Sequence, residues 1–296
     1  MRLGQWVFFK HEKILKRGFV TGDIGTDELK IMCDGTEYIK KHWEIRKIPD
    51  EVKKKILITG HLGMIGSKIF SYLQSTGLYS LKGIDIADNS GDIRTWNEPE
   101  KYDIIIHCAA LTSVTESIIR PNEYYETNVL GTVNLLNNYR NSKMIFLSSS
   151  AIYGEGLDHK EDDLPKPSSP YAQNKIDAEF SIHAISNNYT ILRLANVYGG
   201  KKKDRGIYQI CEEDKCINIF GDGSSLRDYV HVDIVCKAIC NCFNKTGVFN
   251  IGSGITKTTL AIAKEFNKPI NHLPARVGEI KQISLDISKA KNEGII

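Results

Sequence analysis

From Lys55 onward the chain alternates short apolar runs with longer amphipathic ones. "KILITG" reads as a buried strand and "GMIGSKIFSYLQSTG" as a helix ending at Gly77; "LKGIDIAD" and "YDIIIHCAA" read as further strands. "NEYYETNVLGTVNLLNNYR" reads as a helix, "KMIFLSSS" as a strand, Tyr171 to about Ser186 as a helix and "YTILRLANVYG" as a strand. Strands that are apolar on consecutive residues are covered on both faces, and helices that cross back over a parallel sheet provide that cover. The expected fold is therefore α/β, a doubly wound parallel sheet built from βαβ units.

Residues 1–52 have a different texture. "QWVFFK", "RGFVTGDI", "ELKIMCD", "GTEYIKKH" and "WEIRKI" are short, rich in β-branched and aromatic residues, and punctuated by Gly18, Gly22, Gly25 and Gly35. This is the pattern of a small antiparallel sheet or barrel. The expected layout is a β-module over 1–52, then a nucleotide-binding domain over 53–197 to which 228–253 return. A reduced C-terminal substrate lobe would take 198–227 and 254–296.

Charge follows the same division. Residues 1–55 hold 13 Lys/Arg against 9 Asp/Glu, a balance of +4, and the rest holds 26 against 27. The excess is too mild to imply nucleic acid, and the partner of the N-terminal module stays open. No apolar run approaches the ~20 residues that span a bilayer, and "MRLGQWVFFKHEK" has no cleavage pattern, so neither membrane span nor signal peptide is expected. Seven cysteines, an odd number without tight pairing, fit a reducing, cytoplasmic compartment. Cys211/Cys216 and Cys236/Cys240/Cys242 lack metal-site spacing, so no metal is expected.

Between the first strand and helix, "ILITGHLGMIGS" sets Gly60, Gly63 and Gly66 in a G-x-x-G-x-x-G turn. Such a turn lets backbone approach a pyrophosphate whose charge meets the helix N-terminus. Asp85 ends the second strand, 19 residues after Gly66, where a carboxylate accepts from both hydroxyls of an adenosine ribose and repels a 2′-phosphate. NAD is therefore the expected cofactor of a Rossmann-type domain. "GDIRT" places Asp92 and Ile93 where the approach to a third strand would border the adenine.

At this point the chain resembles the extended short-chain dehydrogenases/reductases that act on nucleotide sugars, the epimerases and dehydratases. The resemblance runs from about Lys55 to the C-terminus and rests on "TGHLGMIG", "HCAALTSV", "TNVLGTVNLL", "SSSAIYG", "YAQNK", "RLANVYG" and "GDGSSLRDYVHVDI", in that order. It implies that Leu62, Met64 and Ile65 join the glycines around the cofactor, with Cys108, Ala109, Ala110, Asn128 and Ser148 near its nicotinamide end. It also implies a homodimer, in which the Asn122–Asn141 and Tyr171–Ser186 segments pair into four helices.

Tyr171 and Lys175 stand at i and i+4, on one helix face. An ammonium and a positive nicotinamide nearby favour the phenolate and so make Tyr171 a base. Lys175 also holds the nicotinamide ribose in the family. The family's orienting serine lies four before the tyrosine of "YG", which is Ser149. The positions that carry an acidic pair in the family's dehydratases are Ser150 and Ala151 here, which disfavours elimination. On the substrate side the resemblance implies roles for Thr112, Ser149 and Ser150. Asn196, Arg227 and Arg276 would hold a diphosphate, with Glu279 beside the last; an arginine is a fixed fork suited to phosphate oxygens. "GKKKDR" replaces the family's Pro-Arg after "NVYG", and the chain stops soon after Asp286, so the substrate lobe is expected to be small.

The leading reading is an NAD-dependent nucleotide-sugar epimerase, most like UDP-glucose 4-epimerases, working through a transient 4-keto sugar. A 4-keto-sugar reductase with the same Ser/Tyr/Lys set would differ by net consumption of cofactor. A catalytically silent sugar-nucleotide-binding or scaffold protein would have no use for that proton-transfer set.

Overall fold

The computed structural model describes residues 6–11, 14–23, 28–33, 36–41, 45–47, 53–200, 206–275 and 280–296. Five strands come first: β1 (Trp6–His11), β2 (Ile14–Asp23), β3 (Glu28–Cys33), β4 (Thr36–Lys41) and β5 (Ile45–Lys47). They pair antiparallel in the order β4-β3-β2-β1-β5, with a register shift between Val20 and Gly22.

The nucleotide-binding part begins with β6 (Lys54–Thr59), α1 (Met64–Thr76), β7 (Tyr79–Ile84) and β8 (Ile104–His107). It continues through α2 (Val114–Ile119), α3 (Pro121–Tyr125), α4 (Gly131–Asn138), β9 (Lys143–Ser149), β10 (Gly156–His159), α5 (Pro170–Ile185) and β11 (Tyr189–Leu194). After β12 (Asn196–Tyr198) come α6 (Ile207–Glu213), β13 (Ile217–Phe220), β14 (Leu226–His231), α7 (Val232–Asn241) and β15 (Gly247–Ile251). The last elements are β16 (Thr256–Thr258), α8 (Thr259–Glu265), β17 (Ile270–Leu273), β18 (Gln282–Leu285) and α9 (Ser288–Asn292).

Six of these strands form one parallel sheet in the order β15-β11-β9-β8-β6-β7. Successive residues supply opposite faces, as the two-residue period of a strand requires. Ile56, Ile58, Ile106, Ile145 and Leu147 pack with Ile69 and Leu73 of α1 and with Val235 and Ile239 of α7. Leu57, Ile105, Met144 and Phe146 pack with Leu135 and Leu136 of α4 and Ala178 and Ile182 of α5. Both faces are covered at the centre of the sheet, so β8 and the inner part of β6 read as continuously apolar. The doubly wound sheet expected from the sequence is what the structure shows. The strand order reverses between β6 and β8, because β7 lies on the far side of β6. A ligand crevice opens at such a reversal, outside the carboxyl ends of the strands.

One detail differs from the sequence reading. The helix expected across 122–140 is interrupted: α3 ends at Tyr125, a five-residue π-helical turn spans Glu126–Leu130, and α4 follows. Apolar periodicity alone does not register one inserted residue inside a continuous helix. Asp92 and Ile93 lie in a turn ahead of β8. Asp92 accepts from the Arg94 guanidinium at 2.6 Å and from its backbone N–H at 2.9 Å, and Ile93 is buried in the core.

The C-terminal elements build smaller sheets. β10, β18, β14 and β12 run parallel in that order, with β16 antiparallel to β14, and β13 pairs with β17. α7 and β15 return to the main sheet, β15 beside β11.

Candidate active site

The glycine turn is dictated by contacts no side chain could share. Gly60 has φ +67°, and a Cβ there would lie 2.7 Å from the Ala109 nitrogen. A Cβ on Gly66 would lie 2.0 Å from the Gly60 carbonyl oxygen, so α1 packs onto the turn only through a glycine. Gly63 precedes α1 without a side-chain cap, and the first helical turn carries no acid. The N–H groups at this helix start are therefore suited to an anion. Leu62 donates its N–H to Asp85 Oδ2 at 3.2 Å, while Asp85 Oδ1 accepts from Ala87 N at 3.0 Å. The carboxylate is thus fixed at the end of β7, beside the turn. Met64 and Ile65 open α1, half-buried. These residues fit a dinucleotide: uncapped N–H groups for its pyrophosphate and an oriented carboxylate for its ribose.

The next loop is held by a buried relay. Thr59 Oγ1 lies 2.7 Å from His107 Nδ1 and accepts from Ala109 N at 3.2 Å. His107 Nε2 lies 2.9 Å from Thr132 Oγ1, which donates to the Asn128 carbonyl at 2.7 Å. Burial pushes His107 down to about 3, with the Lys175 charge adding to the effect, so its ring is neutral. Asn128 spends its amide on one residue, accepting from Leu111 N at 2.8 Å and donating to Leu111 O at 2.9 Å. Cys108, Ala109 and Ala110 are half-buried in this loop, and Thr112 beyond them is exposed. Burial pushes the Cys108 thiol up, out of the nucleophilic range. Thr59, His107 and Thr132 escaped the sequence reading as a set, because their pairing joins three separate elements.

Ser149 ends β9 and caps the 3-10 turn Ser150–Tyr153, accepting from Ala151 N at 3.2 Å. Tyr171 is buried at the start of α5, whose cap is Ser169 with Pro170 in the first turn. Burial raises the Tyr171 pKa, and the hydrogen bond with Ser149 opposes the rise. The structure therefore brings Ser149 and Tyr171 together as the motif implied. Lys175 is 4 % exposed and donates to the Leu147 carbonyl at 2.7 Å, with its ammonium 4.7 Å from the Phe146 ring centre. Burial lowers it to about 8, opposed by the Glu179 charge. It is Ser149, rather than the ammonium, that the structure sets against the upward shift of Tyr171.

Ser148 and Ser150 are both buried. Ser148 is turned into the protein, where it donates to Glu179 Oε1 at 2.5 Å. Asn196, exposed at the start of β12, and Arg227 on β14 both line a cavity of about 190 Å³ with Met64, Tyr198, Tyr208 and Tyr229. Tyr198 and Tyr208 stack at 4.0 Å. The Arg227 guanidinium donates to the Leu226 and Lys281 carbonyls at 3.1 and 3.2 Å and to that of Ile280. Arg276, Glu279 and Lys201–Lys203 lie outside the described residues. Among the described residues no group of three His, Cys, Asp or Glu is placed to hold a metal ion, and no helix is long and apolar enough to cross a membrane.

A dinucleotide turn at a sheet reversal, followed by a serine at a strand end facing a helical tyrosine with a lysine at i+4, defines an extended short-chain dehydrogenase/reductase. Residues 56–252 match the NAD dependent epimerase/dehydratase family, and the chain belongs to it. A UDP-glucose 4-epimerase of Mycolicibacterium smegmatis is 30 % identical over 286 residues, covering 80 % of this chain and 91 % of that protein. A dTDP-D-glucose 4,6-dehydratase of Dictyostelium discoideum is 29 % identical, covering 72 % of this chain and 61 % of that protein. The UDP-glucuronic acid 4-epimerase of Bacillus cereus, solved with UDP-glucuronic acid and NAD, superposes with a TM-score of 0.73 at 29 % identity. It covers 80 % of this chain and 92 % of that one. The cofactor of the family is NAD, as the sequence led us to expect.

Proposed function

We propose that the protein epimerises a nucleoside diphosphate sugar at C4 through a transient 4-keto intermediate. The observation that carries this reading is the pairing of Ser149 with the buried Tyr171, with Ser150 and Ala151 next in the chain instead of the acidic pair of the dehydratases. Gly60, Gly63, Gly66, Asp85 and the 108–110 loop would hold NAD, which when bound supplies a reversible hydride acceptor. Tyr171 takes the proton from the sugar 4-hydroxyl, and Ser149 donates a hydrogen bond to the same oxygen. After the keto sugar turns over, Tyr171 returns the proton to the reduced oxygen. Lys175, one helical turn from Tyr171, would hold the nicotinamide ribose. The cavity between Asn196 and Arg227 would take the diphosphate end of the substrate.

The test is to incubate the protein and NAD+ with UDP-, GDP-, CDP- and dTDP-hexoses and follow the sugar protons by NMR. A 4-epimer formed without net NADH supports the reading and names the substrate. Stoichiometric NADH consumption, or a dehydrated product, would overturn it.

We further infer a homodimer, supported by large apolar side chains left in solvent on neighbouring helices: Ile118 59 %, Ile119 69 % and Phe180 65 % exposed. Light scattering should give a dimer, and Phe180→Glu a monomer. Residues 1–52 are read as a separate β-module, and the site of action as the cytoplasm.

A further inference from the structure

Beneath the active site lies a charged group that the reaction itself does not use. Glu179 follows Lys175 by one helical turn on α5 and is 4 % exposed. Three separate elements meet at its carboxylate. Ser148 of β9 donates to Oε1 at 2.5 Å. Arg193 of β11, 7 % exposed, donates from Nη2 to Oε2 at 2.7 Å and from Nε to both oxygens at 3.2 Å. The arginine is held in turn, since its Nη1 donates to Tyr153 OH at 2.8 Å and to the Glu161 carbonyl at 2.7 Å. Tyr153 OH passes the chain on to Asn250 Oδ1 at 2.8 Å.

A buried ion pair is weak evidence for stability, because desolvation offsets its attraction. Its position says more. Lys175 bonds the carbonyl of Leu147 and Glu179 bonds the hydroxyl of Ser148. Two side chains one turn apart on α5 thus fasten consecutive residues of β9, and the next residue is Ser149. The groups facing Lys175 are His107 and Cys108 from the end of β8, the Phe146 ring from β9, and Glu179 from its own helix with Arg193 of β11 behind it. His107 is neutral and the Cys108 thiol is protonated, so Glu179 is the anion in this group.

We propose that Glu179, held by Arg193 and Ser148, is a positioning residue that fastens the end of β9 to α5 and serves as the counter-ion of Lys175. It sets the distance from Ser149 to Tyr171 and keeps the lysine protonated in a site that burial would otherwise neutralise. This rests on the reading of Lys175 as a catalytic lysine, so the deciding measurement uses no substrate. Lysine labelled with 13C at Cε is followed by NMR through a pH titration of the full chain, with the Lys175 signal assigned by its loss in Lys175→Met. In Glu179→Gln the Lys175 midpoint should fall by about one pH unit; equal midpoints in two folded proteins overturn the proposal. Glu179→Gln leaves Arg193 buried without its partner, so Glu179→Leu combined with Arg193→Met, which removes both charges, is the second variant. A smaller fall is expected there, because the opposing charge of Arg193 is removed together with that of Glu179, and a midpoint that does not fall again overturns the proposal. Failure of the sugar chemistry would leave this titration intact, so the two readings fail separately.

Discussion

The two edges of the parallel sheet are built from the same strands yet hold their charges differently, and β9 shows this within seven residues. At its entry edge Lys143 is 4 % exposed, with its ammonium on the Lys245 carbonyl. At its exit edge Lys175 reaches in from α5, equally buried, with its ammonium on the Leu147 carbonyl. Burial lowers both to about 8. Among the described residues, it is the Cys242 thiol rather than a carboxylate that opposes the fall of Lys143. Lys175 has Glu179 one turn away and Tyr171 one turn back. A buried, depressed lysine is therefore no sign of function by itself. What separates the two is the company of proton-carrying and charged groups, and parallel strands collect these at their carboxyl ends.

The sharpest way to break this contrast is to remove the proton carrier. Tyr171→Phe should lower kcat by about a thousand-fold with the fold intact, read by circular dichroism, because acid–base catalysis is worth about that much. Near-normal turnover would mean that the exit edge is not the reacting edge. Next in size is a matched pair of substitutions: Lys175→Met should cut kcat by about a hundred-fold, while Lys143→Met should leave it within about two-fold. The Lys245 carbonyl would still accept from Thr190 Oγ1 at 2.5 Å, so Lys143→Met strands no polar group.

A smaller effect concerns stability. An ammonium near 8 in the fold and about 10.4 in the unfolded chain is charged in both states below pH 8, where it is destabilising; the penalty fades as the pH rises from 8 towards 10. Urea unfolding should therefore find Lys143→Met more stable than the parent at pH 7, with the gap closing by pH 10. A constant gap would show that lost packing, not charge, is responsible. His107 sharpens the acid side: held near 3 in the fold, it contributes stability above its unfolded pKa of about 6.5 that is lost as pH falls towards 3. His107→Gln should flatten part of that dependence. Smallest of all, Glu100→Gln at the entry edge breaks the exposed Lys55 pair at 2.6 Å and should leave turnover and melting temperature unmoved.

The sheet was legible because continuous apolar strands and glycine turns are local signals. The same is true of the turn at Gly60, Gly63 and Gly66 and of the spacing that sets Tyr171 and Lys175 one helical turn apart. The partners of Ser148 were not legible. A serine beside Ser149 looks equally suited to a ligand, and only the arrival of Glu179, 31 residues later, turns it inward. Asn128 is similar, since its amide is consumed by Leu111 rather than left free. The pairing of Asp92 with Arg94, two residues on, was not legible either. Arg193 gave one signal that went unused: a charge inside the apolar strand "TILRL" implies a buried partner.

The π-helical turn at Glu126–Leu130 has a consequence for how this chain can change. One extra residue in a helix rotates everything before it by about 100° relative to everything after. Asn128 lies inside that turn, and its grip on Leu111 fixes the loop that follows β8. A single-residue deletion here would restore a regular helix and swing the amide away from the loop. A one-residue gap at this place in a relative's alignment should therefore coincide with a different fastening for its loop.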